Sequence, residues 1–231
     1  MRRPFEVVVA GAGLSGLVIA GLLAKSQGDR LRISLVDKAG VPDAPVDDDI
    51  ALRVSAIATG SVTLLEKLGA WERIPGNRIC AYEHMRVWDE SMPPDGPATL
   101  RFDAAEFAVP QLGFIVENVR LQAALVAALG NVGLEWIFDA AVDKLSKTAC
   151  GYRVELEDGR SLDADLVIGA DGVRSRVREL AGIDTNDRPY GQTALVTHLK
   201  PEHPHRHTAW QRFLRNGPLG MLPLADGRIS V

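Results

Sequence analysis

The chain has 231 residues, of which 46% are hydrophobic and 24% charged, a composition typical of a soluble globular protein with an ample core. Its net charge of −4 gives no reason to expect a nucleic-acid partner. The two cysteines, Cys80 and Cys150, match no metal-binding or redox spacing, so we expect free thiols in a reducing compartment. The sequence contains no zinc signature, P-loop or catalytic triad, and we predict no metal site.

A glycine-rich turn follows the first predicted strand. The β-branched run Val7–Ala10 stops at Gly11, and the apolar residues 17–23 predict a helix packed on that strand. Gly11, Gly13 and Gly16 have the spacing of a dinucleotide-binding turn. In such a turn the first glycine makes the bend, the second lets a pyrophosphate approach the backbone, and the third lets helix and strand pack closely. The N–H groups of the helix N-terminus then face the phosphate.

A second strand and an acid follow at the expected distance. Residues 31–36 alternate in polarity and end at Asp37, 21 residues after Gly16, where an acid would bind a ribose diol. The order of strand, glycine turn, helix, strand and acid therefore predicts a Rossmann-like dinucleotide site in residues 6–40.

Two alternative interpretations of this segment stay open. Arg2 and Arg3 precede the apolar segment 7–24, which could form a signal peptide or a membrane helix, although three glycines disfavour a continuous helix. A Rossmann-like domain that binds no nucleotide is the second alternative. A nucleophile elbow at Ser15 is set aside, because Leu17 occupies the position where that motif requires glycine.

The next segment predicts a loop and a helix. Residues 39–49 are rich in Pro and Asp, and we expect a loop there. Ser61 is positioned to cap a helix whose apolar residues recur at roughly helical spacing: Val62, Leu64, Leu65, Leu68 and Trp71. Arg53 lies upstream, where a guanidinium could reach a phosphate, but a solvated or ion-paired arginine is an equally open interpretation.

Extended patterns then dominate. Residues 79–103 predict two antiparallel strands around a Pro/Gly turn, and this hairpin does not fit a βαβ rhythm, which indicates a second sheet. A helix is expected from about Val119 to Leu129, before Gly130. Further strands are predicted at 134–138, 141–145 and 152–156, and a hairpin turn at Asp158–Gly159.

A second informative segment covers residues 163–183. Leu166–Ile168 is a continuous apolar run, which predicts a buried parallel strand, and a helix carrying Val173, Val177 and Leu180 follows. Asp171, flanked by Ala170 and Gly172, would lie at the carboxyl edge of the sheet, where ligands of open α/β folds bind. The alternative interpretation is a tight turn with a capping aspartate.

The last part predicts strands at 192–199, 208–214 and 219–224, and a hairpin at Asp226–Gly227. His203, His205 and His207 alternate between two of these strands, a spacing that could bind a metal, although a solvated connection is the favoured interpretation.

Taken together, these motifs resemble the flavoprotein aromatic hydroxylases, and among them the ubiquinone-biosynthesis hydroxylase branch. The resemblance rests on the glycine turn and on the segments RVSAIATGSVTLLEKLGAW, MRVWDE, GFIVENVRLQAAL, DADLVIGADGVRSRVR and GPLGMLPLADGRISV. It implies an α/β fold: a Rossmann-like FAD-binding domain of the glutathione-reductase type, with a second, mainly antiparallel β domain for the substrate. We expect the FAD-binding domain in 1–76 and 104–184, and part of the substrate domain in 77–103 and 185–231.

The resemblance also implies roles for particular residues. Nine positions carry over to the cofactor site: Gly11, Gly13, Gly16, Asp37, Lys38, Arg53, Asn118, Asp171 and Gly172. The three glycines would hold the FAD pyrophosphate, Asp37 with Lys38 the adenosine ribose, and Arg53 the ribityl-phosphate region. Asn118 replaces the Arg or Gln that relatives often use to contact the cofactor. Asp171, with Ser175 and Arg178 downstream, matches a second fingerprint whose acid borders the phosphates and is implicated in handling the nicotinamide nucleotide. No catalytic residue is named.

The implied activity is hydroxylation of the aromatic ring of a polyprenylated phenol in ubiquinone biosynthesis. NAD(P)H would reduce FAD, O2 would add to it, and the resulting flavin hydroperoxide would transfer one oxygen atom to the ring. Four apolar residues could line the substrate pocket or belong to the sheet core: Trp210, Phe213, Met221 and Leu222. With no transmembrane segment, we expect a cytoplasmic protein, either peripheral to a membrane or part of a multi-protein ubiquinone-synthesis complex.

The family's third FAD fingerprint would lie beyond Val231, so we expect a chain truncated at its C-terminus, with an incomplete substrate domain, weak flavin binding and no activity of its own. The alternative is a flavin-binding or assembly subunit without turnover. An NAD-dependent dehydrogenase is disfavoured, because the segment around Asp171 would then have no role.

Overall fold

A computed structural model of the chain describes residues 3–42 and 49–231. The predicted loop 39–49 includes residues 43–48, which lie outside the described residues. The described part forms two compact units. Of the described residues, those in 1–45, 64–73 and 121–187 form the first unit. Those in 46–63, 74–120 and 188–231 form the second unit.

The elements of the described residues are as follows. The strands are β1 (Phe5–Ala10), β2 (Leu31–Val36), β3 (Val54–Ala58), β4 (Ile79–Tyr82), β5 (His84–Asp89), β6 (Leu100–Asp103), β7 (Gly113–Glu117), β8 (Leu134–Ile137), β9 (Val142–Thr148), β10 (Gly151–Leu156), β11 (Ser161–Ala164), β12 (Leu166–Gly169), β13 (His198–Leu199), β14 (Thr208–Leu214), β15 (Gly217–Pro223) and β16 (Ile229–Ser230). The α-helices are α1 (Leu14–Gln27), α2 (Thr59–Leu68), α3 (Asn118–Leu129) and α4 (Arg176–Leu180).

The first unit is built on a parallel four-stranded sheet in the order β12-β1-β2-β8. Val7, Val8 and Val9 of β1 are buried, as a strand between two neighbours requires, and α1 buries Leu17 and Ala20. The predicted order of strand, turn, helix and strand is confirmed. The membrane-helix alternative for 7–24 is wrong, because this segment is divided between β1 and α1. None of the helices in the described part of the chain has the length and apolar character needed to span a bilayer.

An antiparallel sheet in the order β11-β10-β9 completes the first unit. Its Val154 and Leu156 pack into one cluster with Val8 and Val36 of the parallel sheet, which places a hydrophobic core between the two sheets. The predicted hairpin at Asp158–Gly159 joins β10 to β11, and Gly159 has a φ of +88°.

The second unit contains a six-stranded sheet in the order β13-β16-β15-β14-β5-β6 and a three-stranded sheet in the order β3-β7-β4. The predicted hairpin in 79–103 is confirmed by the antiparallel pairing of β5 with β6, and the turn at 226–227 joins β15 to β16. The predicted strand 192–199 is wrong in extent. Only His198 and Leu199 form a strand, β13, which pairs with β16. Thr197 exchanges two backbone hydrogen bonds with Val231, and Leu195 is 84% exposed.

Two helix predictions also need correction. Helix α2 begins at Thr59, directly after β3, so Ser61 lies inside it and is not its cap. Its buried residues Val62, Leu65 and Leu68 follow a three-residue spacing, and Leu64 falls off that face with 37% exposure. Helix α4 begins only at Arg176, and Val173 lies before it, 87% exposed.

The bounds of the units differ from the predicted domains. Residues 104–120 were predicted to belong with the FAD-binding domain, yet they lie in the second unit, where β7 pairs with β3 and β4. The division into an FAD-binding and a substrate domain stays a prediction.

Candidate functional site

Two glycines of the turn are required by the packing of the backbone. Gly11 follows β1 with a φ of +105°, and its N–H donates to Val36 O at 2.7 Å. A Cβ at Gly11 would lie 2.3 Å from Ala170 O, and a Cβ at Gly16 would lie 1.8 Å from Gly11 O. Any side chain at either position would therefore overlap the main chain.

Gly13 differs from its two neighbours in the motif. It is the N-cap residue of α1 with a φ of −69°, and a Cβ there would have no atom within 4 Å among the described residues. The protein's own packing thus does not require glycine at this position. The open space lies at the N-terminus of α1, where backbone N–H groups and the helix dipole favour a phosphate. The residues of the turn fit a bound pyrophosphate.

Asp37 is held over this turn by backbone hydrogen bonds. Its Oδ2 accepts from Ala12 N–H at 2.5 Å and its Oδ1 from Ala39 N–H at 2.8 Å, while its own N–H donates to Ile137 O at 2.9 Å. Each carboxylate oxygen keeps a second acceptor site, which a ribose hydroxyl can use. The exposed Lys38 follows directly.

Asp171 is also fixed by hydrogen bonds, but its donors are the residues at the start of α4. Its carboxylate accepts from Ser175 Oγ, from Arg176 N–H at 2.7 Å and from Val177 N–H at 3.1 Å. Burial by itself would raise the pKa of Asp171, but these hydrogen bonds outweigh it and hold the pKa below its ordinary value. The geometry therefore matches the alternative interpretation of Asp171 as a capping aspartate.

A single cavity in the first unit brings most of the predicted residues together. It has a volume of about 340 Å³, and six predicted residues line it: Gly11, Gly13, Asp37, Lys38, Asp171 and Gly172. Gly16 is buried beneath the turn and does not line the cavity. The glycine turn, the acid after β2 and the segment after β12 meet here because all three follow the carboxyl ends of parallel strands.

Sequence reasoning missed several lining residues. Arg174 and Arg176 add positive charge to the cavity wall, and the Arg176 guanidinium donates to Asp143 O at 3.1 Å and pairs with Glu179 at 3.0 Å. The alternating arginines after Asp171 are a signal that could have been used. Residues 140–142 also line the cavity. They are small and apolar, and such residues do not mark a binding site in a sequence.

Arg53 and Asn118 belong to the second unit. They are brought together by the pairing of Val54 with Glu117, and Asn118 N–H donates to Arg53 O at 3.1 Å. Ser55 Oγ donates to Asn118 Oδ1 at 2.6 Å. Arg53 is exposed, and its guanidinium has no hydrogen bond or ion pair to the residues described by the structure.

The four candidate substrate residues do not share one face of the six-stranded sheet. Trp210 of β14 pairs directly with Met221 of β15, so these two point to the same side. Phe213 is three residues from Trp210, and Leu222 is one residue from Met221, which puts both on the opposite side. Trp210 packs edge-on against Trp88 with ring centroids 5.9 Å apart.

The histidine-rich connection is held by backbone carbonyls. His207 Nδ1 donates to Ala81 O at 2.9 Å, and His205 Nε2 donates to Leu224 O at 3.1 Å. Burial lowers the pKa of the His205 imidazole, which favours its neutral form. Each of these two rings is thus positioned by a main-chain contact.

The class of the protein follows from comparison with known families. Residues 4–222 match the family described as the FAD binding domain, so the chain belongs to this family. The resemblance stated above is confirmed, and FAD is the cofactor that the family indicates.

The curated proteins that the chain resembles are hydroxylases and monooxygenases whose names refer to ubiquinone. The chain is 32% identical to 3-demethoxyubiquinol 3-hydroxylase of Escherichia coli (strain K12) over 231 residues, which are 100% of this chain and 57% of that protein. It is 34% identical to the mitochondrial ubiquinone biosynthesis monooxygenase COQ6 of Mus musculus over 240 residues, covering 96% of this chain and 48% of that protein. The chain spans about half the length of these curated relatives.

A solved structure shows the same fold. PqsL of Pseudomonas aeruginosa, in complex with 2-aminobenzoylacetate, matches with a TM-score of 0.76 at 21% identity, over 98% of this chain and 59% of that chain. The predicted α/β FAD-binding fold with additional antiparallel sheets is confirmed.

Proposed function

We propose that the chain belongs to an FAD- and NAD(P)H-dependent monooxygenase that hydroxylates the aromatic ring of a polyprenylated phenol in ubiquinone biosynthesis. The observation that carries the cofactor assignment is the open space over Gly13 at the N-terminus of α1, next to the carboxylate of Asp37. The substrate class is supported by the names of the two ubiquinone-pathway relatives.

The cavity of the first unit would hold the adenosine diphosphate part of FAD. The N–H groups at the start of α1 would face the pyrophosphate over Gly13, and Asp37 would accept hydrogen bonds from the ribose hydroxyls. Lys38 and Arg174 would offset the phosphate charge from the cavity wall. Gly11 and Gly16 would act indirectly, by giving the turn its shape.

For the flavin part of the cofactor we propose two residues, Arg53 and Asn118. Arg53 would direct its exposed guanidinium at the ribityl-phosphate region, beside Asn118. Asn118 Oδ1 already accepts from Ser55, so the side-chain amide N–H groups of Asn118 are the donors that it would offer to the cofactor.

Bound FAD would supply the redox chemistry, in which NAD(P)H, a proton, O2 and the phenol give NAD(P)+, water and the hydroxylated ring. The residues of this chain would bind and orient the cofactor and keep water from the reacting ring. Asp171 would border the phosphates only through its loop, because its carboxylate is occupied by Ser175 and α4. For the whole protein we propose a cytoplasmic location, peripheral to a membrane or within a ubiquinone-synthesis complex.

A flavin-binding or assembly subunit without turnover is the second candidate. It is compatible with the cavity, where both carboxylates, Asp37 and Asp171, accept hydrogen bonds from N–H or O–H donors of the protein. This arrangement binds a cofactor without requiring chemistry from the protein.

Two measurements separate these functions. The cofactor released by denaturing the whole protein identifies FAD or NAD, and NAD(P)H oxidation by the FAD-loaded whole protein, with and without a polyprenylated phenol, reports turnover. If the protein is the enzyme, we expect the phenol to stimulate NAD(P)H oxidation and a hydroxylated product to form. If it is a binding subunit, we expect bound FAD but no NAD(P)H oxidation. Full FAD occupancy in both Asp37→Ala and Arg53→Ala would contradict the proposed site, and NAD in place of FAD would contradict the cofactor assignment.

A further inference from the structure

A buried carboxylate lies beside the segment that carries Arg53. Glu117 ends β7, and its side chain is only 3% exposed. Arg78 Nε donates to its Oε1 at 2.7 Å and Arg78 Nη2 to its Oε2 at 2.9 Å. Arg120 Nε donates to Oε1 at 3.0 Å, and Ala51 N–H donates to Oε2 at 2.6 Å. Each oxygen of Glu117 therefore accepts two hydrogen bonds.

Stability does not by itself explain a buried carboxylate at this position. Burial by itself would raise the pKa of Glu117, but hydrogen bonds from Arg78 and Ala51 and the positive charge of both arginines lower it, so the group is ionised. Replacing a buried ion network by packed apolar residues is often neutral or stabilising. The directional hydrogen bonds of Glu117 instead define where particular backbone atoms lie.

The backbone atoms that the network defines are those before Arg53. Glu117 holds Ala51 N–H, and Arg78 Nη2 also donates to Asp49 O at 2.6 Å. On the other side, Arg53 O accepts from Asn118 N–H, and the next residue, Val54, pairs with Glu117. The main chain of Arg53 is thus fixed on both sides, while its side chain stays exposed.

We propose that Glu117, together with Arg78, is a positioning residue for Arg53 and thereby for the flavin side of the cofactor site. This inference rests on the proposed function, in which Arg53 contacts FAD. It assigns no contact between Glu117 and the cofactor. Its consequence is that Glu117 and Arg53 affect FAD binding through one pathway, whereas the geometry of the glycine turn does not depend on Glu117.

The test compares FAD with ADP, which lacks the flavin part. Dissociation constants for both ligands are measured for the wild type, Glu117→Gln, Arg53→Ala and the double variant. We expect Glu117→Gln to weaken FAD binding about tenfold and to change ADP binding less than about twofold. The double variant should bind FAD no more weakly than Arg53→Ala, because Glu117 acts through Arg53.

Two further variants make the test specific. Glu90→Gln makes the same chemical change in a pair with the exposed Arg215, 3.1 Å apart, and should leave both dissociation constants unchanged. If Glu117→Gln does not fold, Arg78→Lys replaces it, since lysine keeps the charge but cannot bridge both oxygens of Glu117. For Arg78→Lys we expect the same preferential loss of FAD affinity.

The possible outcomes separate the positioning role of Glu117 from the proposed function of the protein. Equal weakening of FAD and ADP, or effects that add in the double variant, would overturn the positioning role and leave the proposed function standing. A wild type that binds neither FAD nor ADP would overturn the proposed function and the positioning role with it.

Discussion

The glycine turn of the first unit and the Arg53 segment of the second unit are both rigid, for opposite reasons. The turn is fixed because side chains are absent: Gly16 lies where a Cβ would be 1.8 Å from Gly11 O. The Arg53 segment is fixed because side chains are present: Glu117 and Arg78 bind its main chain from a buried position. The steric constraint comes from close contact of main chains, including Gly11 with Ala170, whereas the polar network joins side chains to the main chain, with Arg78 and Glu117 39 positions apart.

The largest effect is expected for Gly11→Ala, which tests the steric half of this comparison. A Cβ would overlap Ala170 O, and the φ of +105° is unfavourable for alanine, so we expect a loss of about 3 kcal/mol or more in unfolding free energy. Urea denaturation measures it. Gly13→Ala is the matched control, since its Cβ meets no atom of the described residues within 4 Å. A stability loss as large in Gly13→Ala would contradict the steric argument.

Glu117→Ala tests the other part of this comparison, the polar network that fixes the Arg53 segment. Removing the carboxylate takes away the acceptor that Arg78 and Arg120 share, and because their side chains are only 9% and 15% exposed, we expect a loss of about 3 kcal/mol in unfolding free energy. Because the folded-state pKa of Glu117 is depressed, its contribution is present above the ordinary value of 4.5 and is lost as the pH falls through the folded-state value. Urea denaturation at neutral and acidic pH should therefore show that the difference in unfolding free energy between variant and wild type is smaller at acidic pH. A gap that grows in acid would contradict this sign.

A smaller effect is expected for Asp37→Asn. The amide can still accept from one backbone N–H, so the fold should persist, but the loss of the charged acceptor should weaken FAD binding about tenfold. Fluorescence titration with FAD measures it. Asp29→Asn, after α1 and away from the cavity, is the control and should bind as the wild type does. Equal affinities in all three proteins would contradict the ribose role of Asp37.

The smallest effect concerns the two thiols. Burial, with the charge of Asp226, raises the pKa of Cys80 to about 11, so about one Cys80 thiol in a thousand is ionised at about pH 8. Cys150 is exposed in the first unit. Mass spectrometry after brief alkylation should find Cys150 modified and Cys80 intact, and Cys150→Ser should abolish the modification. Rapid labelling of Cys80 would show that the β3-β7-β4 sheet opens.

The comparison also explains what could be read from the sequence. The turn and Asp37 were found because the dinucleotide-binding motif places glycines and an acid at a fixed spacing in the sequence. Glu117 was missed because its partners come from distant parts of the chain, and a single glutamate before a helix gives no signal. The strand register was needed to see that Trp210 and Phe213 lie on opposite faces of the sheet. The hydrogen bonds of Asp171 were needed to see that α4 starts only at Arg176.

Equilibrium titration with FAD of the wild type and Gly13→Ala tests the central claim most directly. The account predicts weak but saturable binding of FAD by the wild type, and binding weaker still by about tenfold or more in an equally stable Gly13→Ala, because the added Cβ occupies the space of the pyrophosphate. Equal affinities, or no saturable binding by the folded wild type, would contradict it.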